Sequence, residues 1–271
     1  MPAWHEGIIK SDLMRREMPY RVLPPQNYNS SVLSFSTLYL LHGLFGSFEN
    51  WTTLIELESY AARHRLIIIM PEGENGWYTD GMNADDKYES YLIRELVPEI
   101  DAQFRTIANA GGRGIAGLSM GGFGAFKFAL QYPSMFKFAA SVSGAFEVTR
   151  WSDTSQTAAW DEFGPPISRI FGDAGSAIRQ ANDLKNLVNG LSEIEAAKLP
   201  FLYFDCGRDD DFIGANIRFD ELLTKRGIVH RFQALAGGHD WEYWNERSKD
   251  LVEMAGELLS KPARKETGNI N

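Results

Sequence analysis

The feature that most restricts how this chain can fold is an alternation: short runs of consecutive apolar residues are separated by segments whose apolar residues recur every three or four positions. The runs TLYLLHG, RLIIIMPEG, GRGIAGL, KFAASVSGAF and PFLYFDCG read as strands covered on both faces, because a half-exposed strand would alternate apolar with polar residues. An earlier segment, RREMPYRVLPPQNYN, reads as an extended strand ended by Pro24 and Pro25, and VHRFQALAG as a late one. Between them, FENWTTLIELESYAARH has the spacing of a short amphipathic helix. Tyr88, Leu92, Leu96, Ile100 and Phe104 place a second helix between Asp85 and Phe104, within which Pro98 predicts a kink or a 3₁₀ turn. Further helices are expected after GIAGLSMGG up to Tyr132-Pro133, from about Phe212 to Arg226, and over DWEYWNERSKDLVEMAGELL. Strands and helices alternating at these lengths imply right-handed crossovers, hence an α/β fold with a mainly parallel sheet and helices on both faces.

Residues 146–199 break the rhythm. They are rich in Asp, Gly, Ser, Ala and Asn, contain Pro165-Pro166, and offer only short helical stretches such as Gln180 to Val188. A segment this long between two core strands is expected to form a lid or rim on one domain spanning 1–271. The tail KPARKETGNIN reads as a frayed end.

An excess of acidic over basic residues, 36 against 27, and no Lys/Arg block argue against a nucleic-acid partner. The single cysteine, Cys206, sits in an apolar strand and can form neither an intrachain disulfide nor a thiolate metal site. With few histidines and no HExxH spacing, no metal and no cofactor is expected. The N-terminal segment is charged throughout, and the longest apolar runs fall far below membrane-spanning length. No membrane partner is expected, and a cytoplasmic location is the default, although a secreted chain that had lost a leader would read the same. The sequence sets no oligomeric state, and a homo-oligomer is compatible with it.

The chemistry centres on Gly117-Leu118-Ser119-Met120-Gly121. A G-x-S-x-G match alone is weak, but this one follows an apolar strand directly and opens a helix whose small residues Gly121, Gly122 and Gly124 leave room for a sharp turn. The alternative is a serine that merely caps the helix. A hydroxyl needs a base, and His239 in AGGHDW lies between a strand and a long helix, at the same carboxyl-terminal edge as Ser119. His42 precedes the serine and suits an orienting or structural role, while His5, His64 and His230 sit in charged or strand contexts. The orienting acid is expected in CGRDDDF, where Asp205 belongs to the strand and Asp209, Asp210 and Asp211 occupy the turn; pattern alone does not rank these three. Attack on a carbonyl also requires donors for the negative oxygen. Met120 supplies one backbone N–H, and Leu44, after the bend at Gly43 in LLHGLFG, is placed to supply another, with His42 bracing the bend.

With LYLLHG and a following Trp51, MPEGENGWYTDG, YLIRELVPEIDAQFR, GRGIAGLSMGGFGAFKFAL, GRDDDF and GGHDWEYW, the chain resembles the α/β-hydrolase superfamily. The likeness runs over roughly Ser11 to Leu259 and is to its esterase D and feruloyl esterase-like group, which includes S-formylglutathione hydrolases, tributyrin-type esterases and mycolyltransferases. The resemblance implies a Ser119–His239–Asp210 triad, with Gly207, Asp210 and Phe212 matching a G-x-x-D-x-F arrangement, and an oxyanion hole from the N–H groups of Leu44 and Met120. It implies a serine carboxylesterase acting on short-chain or hydroxycinnamoyl esters, small or polysaccharide-linked. A glutathione thioesterase departs further, because the free cysteine expected near the H-G loop is absent there, and a mycolyltransferase would be exported with a long acyl groove. A purely binding role would usually be marked by loss of one chemical group, yet all are present.

Aromatic residues cluster near the expected rim: Trp77 and Tyr78, Trp151 and Trp160, and Trp241, Tyr243 and Trp244. Amphipathic rings suit a site that is dry at one end and wet at the other. Phe45, Trp151 and Trp241 are the pocket candidates, whereas Trp244, three residues after Trp241 on the last helix, is expected in the core.

Overall fold

The computed structural model describes residues 4–153, 166–259 and 261, and the expectations for Trp160, Pro165 and the tail beyond Lys261 lie outside them. Eight strands form one sheet: β1 (His5–Ser11), β2 (Arg16–Leu23), β3 (Ser36–Leu41), β4 (Leu66–Pro71), β5 (Arg113–Leu118), β6 (Phe138–Val142), β7 (Phe201–Gly207) and β8 (His230–Leu235), in the order β1-β2-β4-β3-β5-β6-β7-β8. From β4 to β8 all neighbours are parallel, while β1 and β2 form an antiparallel hairpin that joins β4 antiparallel. The polar, alternating sequence of β1 hid it from the sequence reading, since a strand at a sheet edge with half its residues in water lacks a continuous apolar run.

The apolar strands are apolar for the expected reason. In β4, Ile67 and Ile69 enter the core on one face of the sheet while Ile68 and Met70 enter the core on the other; in β3, Tyr39 and Leu41 oppose Leu38 and Leu40 in the same way. One face is covered by α1 (Asn50–Thr53), α2 (Leu57–Ala61) and a long C-terminal helix. The other is covered by α3 (Tyr88–Tyr91), α4 (Val97–Gln103), α5 (Met120–Gln131) and helices of the 146–199 segment: α6 (Ile167–Phe171), α7 (Ala177–Asn182), α8 (Leu184–Gly190) and α9 (Glu193–Ala196). α10 (Ile213–Lys225) packs on this face, and α11 (Trp241–Leu258) is the C-terminal helix of the first.

Three helical expectations are corrected. The turn before Pro98 is a π turn, Leu92–Leu96, rather than 3₁₀. Pro98 has no N–H to return to the Arg94 carbonyl, and a widened turn absorbs that missing bond without ending the helix. The segment after Phe48 forms two short helices rather than one, and the Glu56 N–H between them is taken by Asn245 Oδ1 at 2.9 Å. The Gln180–Val188 stretch is divided at Asp183, whose side chain caps α8 through the Asn186 N–H and accepts the Thr149 hydroxyl at 2.7 Å.

Two buried cations hold the 146–199 segment, Lys127 tying it to its neighbours and Arg179 tying its parts to one another. Lys127 of α5 is fully buried and donates to Glu89 Oε2 at 2.6 Å, Asn182 Oδ1 at 3.1 Å and Thr79 Oγ1 at 3.2 Å. The Arg179 guanidinium donates to the carbonyls of Thr149, Trp151 and Gly172. Each separates into a polar knot a region that is otherwise apolar.

Backbones approach one another closely where β5 turns into α5. A Cβ on Gly121 would press into the Leu41 carbonyl oxygen, and one on Gly117 into the Gly121 backbone. Gly121→Ala should therefore lower unfolding stability by roughly 3 kcal/mol, because α5 must move off β3. A urea midpoint equal to that of the parent protein would show that the backbones are not this close.

Candidate active site

Ser119 stands between β5 and α5 with φ 53° and ψ −115°, outside the regions that L-residues ordinarily occupy. The strained turn lifts its side chain off the carboxyl-terminal sheet edge, and only the glycines on either side allow it. Its own carbonyl and N–H are built into the fold, the N–H bonding to the Val142 carbonyl at 2.9 Å.

The loops after β7 and β8 are drawn together by the Asp209 N–H, which bonds to the Gly237 carbonyl at 3.0 Å, and by the contact of Gly207 with the Gly237 backbone. That brings His239 over Ser119. His239 Nε2 lies 3.1 Å from Ser119 Oγ, and His239 Nδ1 lies 2.9 Å from Asp210 Oδ2. Of the three turn carboxylates, Asp210 alone is buried and Asp209 and Asp211 face solvent, so the structure brings Asp210 to the imidazole. Its second oxygen accepts the Phe212 N–H at 2.8 Å. Burial alone would raise the Asp210 carboxyl, but the hydrogen bond and charge of His239 and the Phe212 N–H outweigh it and hold the group below its ordinary value. Asp205 is fully enclosed and turns away, accepting the Tyr243 hydroxyl at 2.7 Å; its burial pushes its carboxyl up to about 6.

Phe212 and Trp244 meet the His239 ring edge-on, each at 4.8 Å between centroids, and restrict its rotation. Chemically, the arrangement can take a proton from Ser119 Oγ onto Nε2 while Asp210 holds the Nδ1–H.

At the end of β3, the chain bends through His42, Gly43 and Leu44 beside Ser119; a Cβ on Gly43 would fall 2.6 Å from a Leu118 methyl. Among the described residues no group accepts from the N–H of Leu44 or of Met120, so both donors remain available at the site. The cavity above Ser119 measures about 750 Å³. Phe45, Trp151 and Trp241 all line it, as do Trp77, Phe212 and Trp244.

These positions correct part of the aromatic reading. Trp244 is 8 % exposed and packs in the core, but its ring also forms cavity wall beside His239. Tyr78 and Tyr243 are core residues rather than rim residues, because each hydroxyl finds an acceptor inside, the His42 carbonyl and Asp205 respectively.

Against this geometry, the family model described as "Putative esterase" matches residues 11–257. The chain belongs to this esterase family. An acetyl esterase of Caldicellulosiruptor saccharolyticus is 28% identical over 245 residues, covering 88% of this chain and 89% of that protein. Among solved structures, the Staphylococcus aureus fluorophosphonate-binding serine hydrolase FphF superposes with a TM-score of 0.81 at 25% identity, over 93% of this chain and 98% of that one. The S-formylglutathione hydrolase FrmB of the same organism gives a TM-score of 0.77 at 25% identity with the same coverage. The sheet and its flanking helices are those of the α/β-hydrolase fold.

The site loops of the esterase also hold residues to which sequence reasoning gave no role. Glu72 and Asn75, from MPEGEN after β4, reach across to the His42–Phe45 bend: Glu72 Oε1 lies 3.0 Å from His42 Nε2, and Asn75 Oδ1 accepts the Phe45 N–H at 2.9 Å. Burial would raise the Glu72 carboxyl, but the hydrogen bond and charge of His42 with backbone N–H groups hold it below its ordinary value. Their signal in the sequence was position alone: polar residues directly after a wholly apolar strand, at the edge where the other site loops gather. No helix of the described residues is long and apolar enough to cross a membrane.

Proposed function

We propose that this esterase is a serine carboxylesterase that hydrolyses short-chain or hydroxycinnamoyl esters, free or attached to a polysaccharide, through an acyl-enzyme. The observation that carries the reading is the unbroken relay from Ser119 Oγ through His239 to Asp210, at 3.1 and 2.9 Å, on the floor of an aromatic-walled cavity.

In this reading Ser119 Oγ attacks the ester carbonyl carbon as its proton passes to His239 Nε2, and the carbonyl oxygen, now negative, accepts from the N–H groups of Leu44 and Met120. The C–O bond to the alcohol breaks, and the alcohol leaves with the proton from Nε2. Water then gives a proton to the same nitrogen as its oxygen adds to the acyl carbon, and the bond from that carbon to Ser119 Oγ breaks as Nε2 returns the proton to Oγ, releasing the acid and free Ser119. Asp210 keeps the Nδ1–H oriented and stabilises the imidazolium formed in each half-reaction. In this reading the described part of the 146–199 segment, with Trp151 against the cavity, is the rim that limits the acyl group. No metal or cofactor takes part.

The aromatic walls and the similarity to an acetyl esterase support oxygen esters of small acyl groups. A second reading, a thioesterase acting on S-formylglutathione, draws on the likeness to FrmB and uses the same atoms with a thiol as leaving group. Comparing kcat/KM for p-nitrophenyl acetate, p-nitrophenyl butyrate, methyl ferulate and S-formylglutathione decides between them. The oxygen esters should exceed S-formylglutathione by at least about tenfold, a difference of about 1.4 kcal/mol in transition-state binding; the reverse order would move the assignment to the thioester.

A further inference from the structure

The proposed oxyanion donor, the Leu44 N–H, belongs to a peptide whose other end is unusually constrained. The carbonyl of that same peptide, Gly43 C=O, accepts the Gly46 N–H at 3.1 Å and lies 2.8 Å from His42 Nδ1. A carbonyl is an acceptor only, so Nδ1 carries the proton and donates. In a trans peptide the C=O and N–H point in opposite directions. Two donors on the oxygen therefore fix the direction of the Leu44 N–H and polarise it.

The next peptide is held from its other end. Phe45 has φ 60°, a conformation that a residue with a bulky side chain adopts only under constraint, and its ring is half exposed at the cavity mouth, so core packing does not impose it. The Asn75 side chain supplies a restraint, its Oδ1 taking the Phe45 N–H at 2.9 Å. This bond also removes the Phe45 N–H from the set of donors that could meet substrate. The peptides on either side of Leu44 are thus pinned, one by His42 from the same loop and one by Asn75 from the loop after β4.

We infer that Asn75 is a positioning residue for the oxyanion hole: by capturing the Phe45 N–H it holds the left-handed turn that aims the Leu44 N–H at the developing oxyanion. Glu72, beside the far edge of the His42 ring, completes the brace from the same segment. The brace explains why two polar side chains of MPEGEN reach this loop without lining the cavity next to Ser119. The inference rests on the serine carboxylesterase reading above.

The test compares Asn75→Leu, which matches the volume without the acceptor, and Asn75→Ala with the parent protein. Both should lower kcat for p-nitrophenyl acetate by about 10- to 100-fold, short of the loss from deleting a donor outright, with KM within about twofold. Affinity for a trifluoromethyl ketone, which adds Ser119 and forms an oxyanion, should fall by a similar factor, while affinity for the product acid stays the same. Equal losses for ketone and acid, or an unchanged kcat in whichever variant folds, would overturn the proposal. Fluorophosphonate labelling of the parent protein separates the two levels of argument: no labelling at Ser119 sinks the serine reading itself, whereas labelling at Ser119 with unaltered Asn75 variants sinks only the role of Asn75.

Discussion

Ser119→Ala is expected to lower kcat for p-nitrophenyl acetate by roughly six orders of magnitude, to the background set by binding and the oxyanion donors. The size follows from the relay: without Oγ, His239 has no hydroxyl to deprotonate, and water held nearby is a weaker and poorly placed nucleophile. Stability should change little, by about 0.5 kcal/mol or less, because the Ser119 hydroxyl bonds to His239 and caps no helix. The strained backbone would persist, since the adjoining glycines and α5 impose it. Stopped-flow assays of the purified variant with its thermal unfolding check both parts. Hydrolysis at even a hundredth of the parent rate by a well-folded variant would show that another group attacks the ester.

Asp210→Ala should cost about 10⁴ in kcat, while Asp209→Ala and Asp211→Ala stay within a few fold of the parent. Only Asp210 is buried against His239 Nδ1; without it the ring is free to take the wrong tautomer, and the imidazolium formed during attack loses its counter-charge. The pH dependence of stability has a definite sign. The folded Asp210 carboxyl lies below its ordinary value, so its contribution is complete above the unfolded carboxylate value of about 4 and is lost as pH falls through the lower folded value. In Asp210→Ala that acid-side loss should shrink in urea titrations carried below about pH 4. Equal kcat losses in the three alanine variants would remove Asp210 from its place in the relay.

The elements that the sequence announced were those in which local pattern and final environment agree. β3, β4 and β5 are buried on both faces, so apolar residues dominate each of them and the run itself marks the strand, the polar Ser36, Thr37 and Arg113 standing only at the strand starts. Ser119 was legible because its turn needs glycine at fixed offsets, and His239 because it lies between β8 and α11. The three aspartates after β7 could not be ranked from the residues, since which of them turns inward depends on how the Gly237 loop packs against that turn. Glu72 and Asn75 escaped notice for a related reason: they act on a loop some thirty residues earlier, and nothing in the local pattern of MPEGEN records that distance. The division at Asp183 comes from a local cap, Asp183 Oδ1 taking the Asn186 N–H, which a reading by apolar spacing alone passes over.

The Arg179 guanidinium, gripping the carbonyls of Thr149, Trp151 and Gly172, has a kinetic corollary. To move the Trp151 backbone outward, the charge-assisted bonds to the Thr149 and Trp151 carbonyls would have to break together, so this wall is expected to act as a fixed gauge rather than a closing gate. On the proposed acyl-enzyme reading, a fixed gauge would sort acyl groups by size: turnover is expected to hold nearly level while the group fits and to drop abruptly at the first carbon that does not, instead of declining by even increments with chain length.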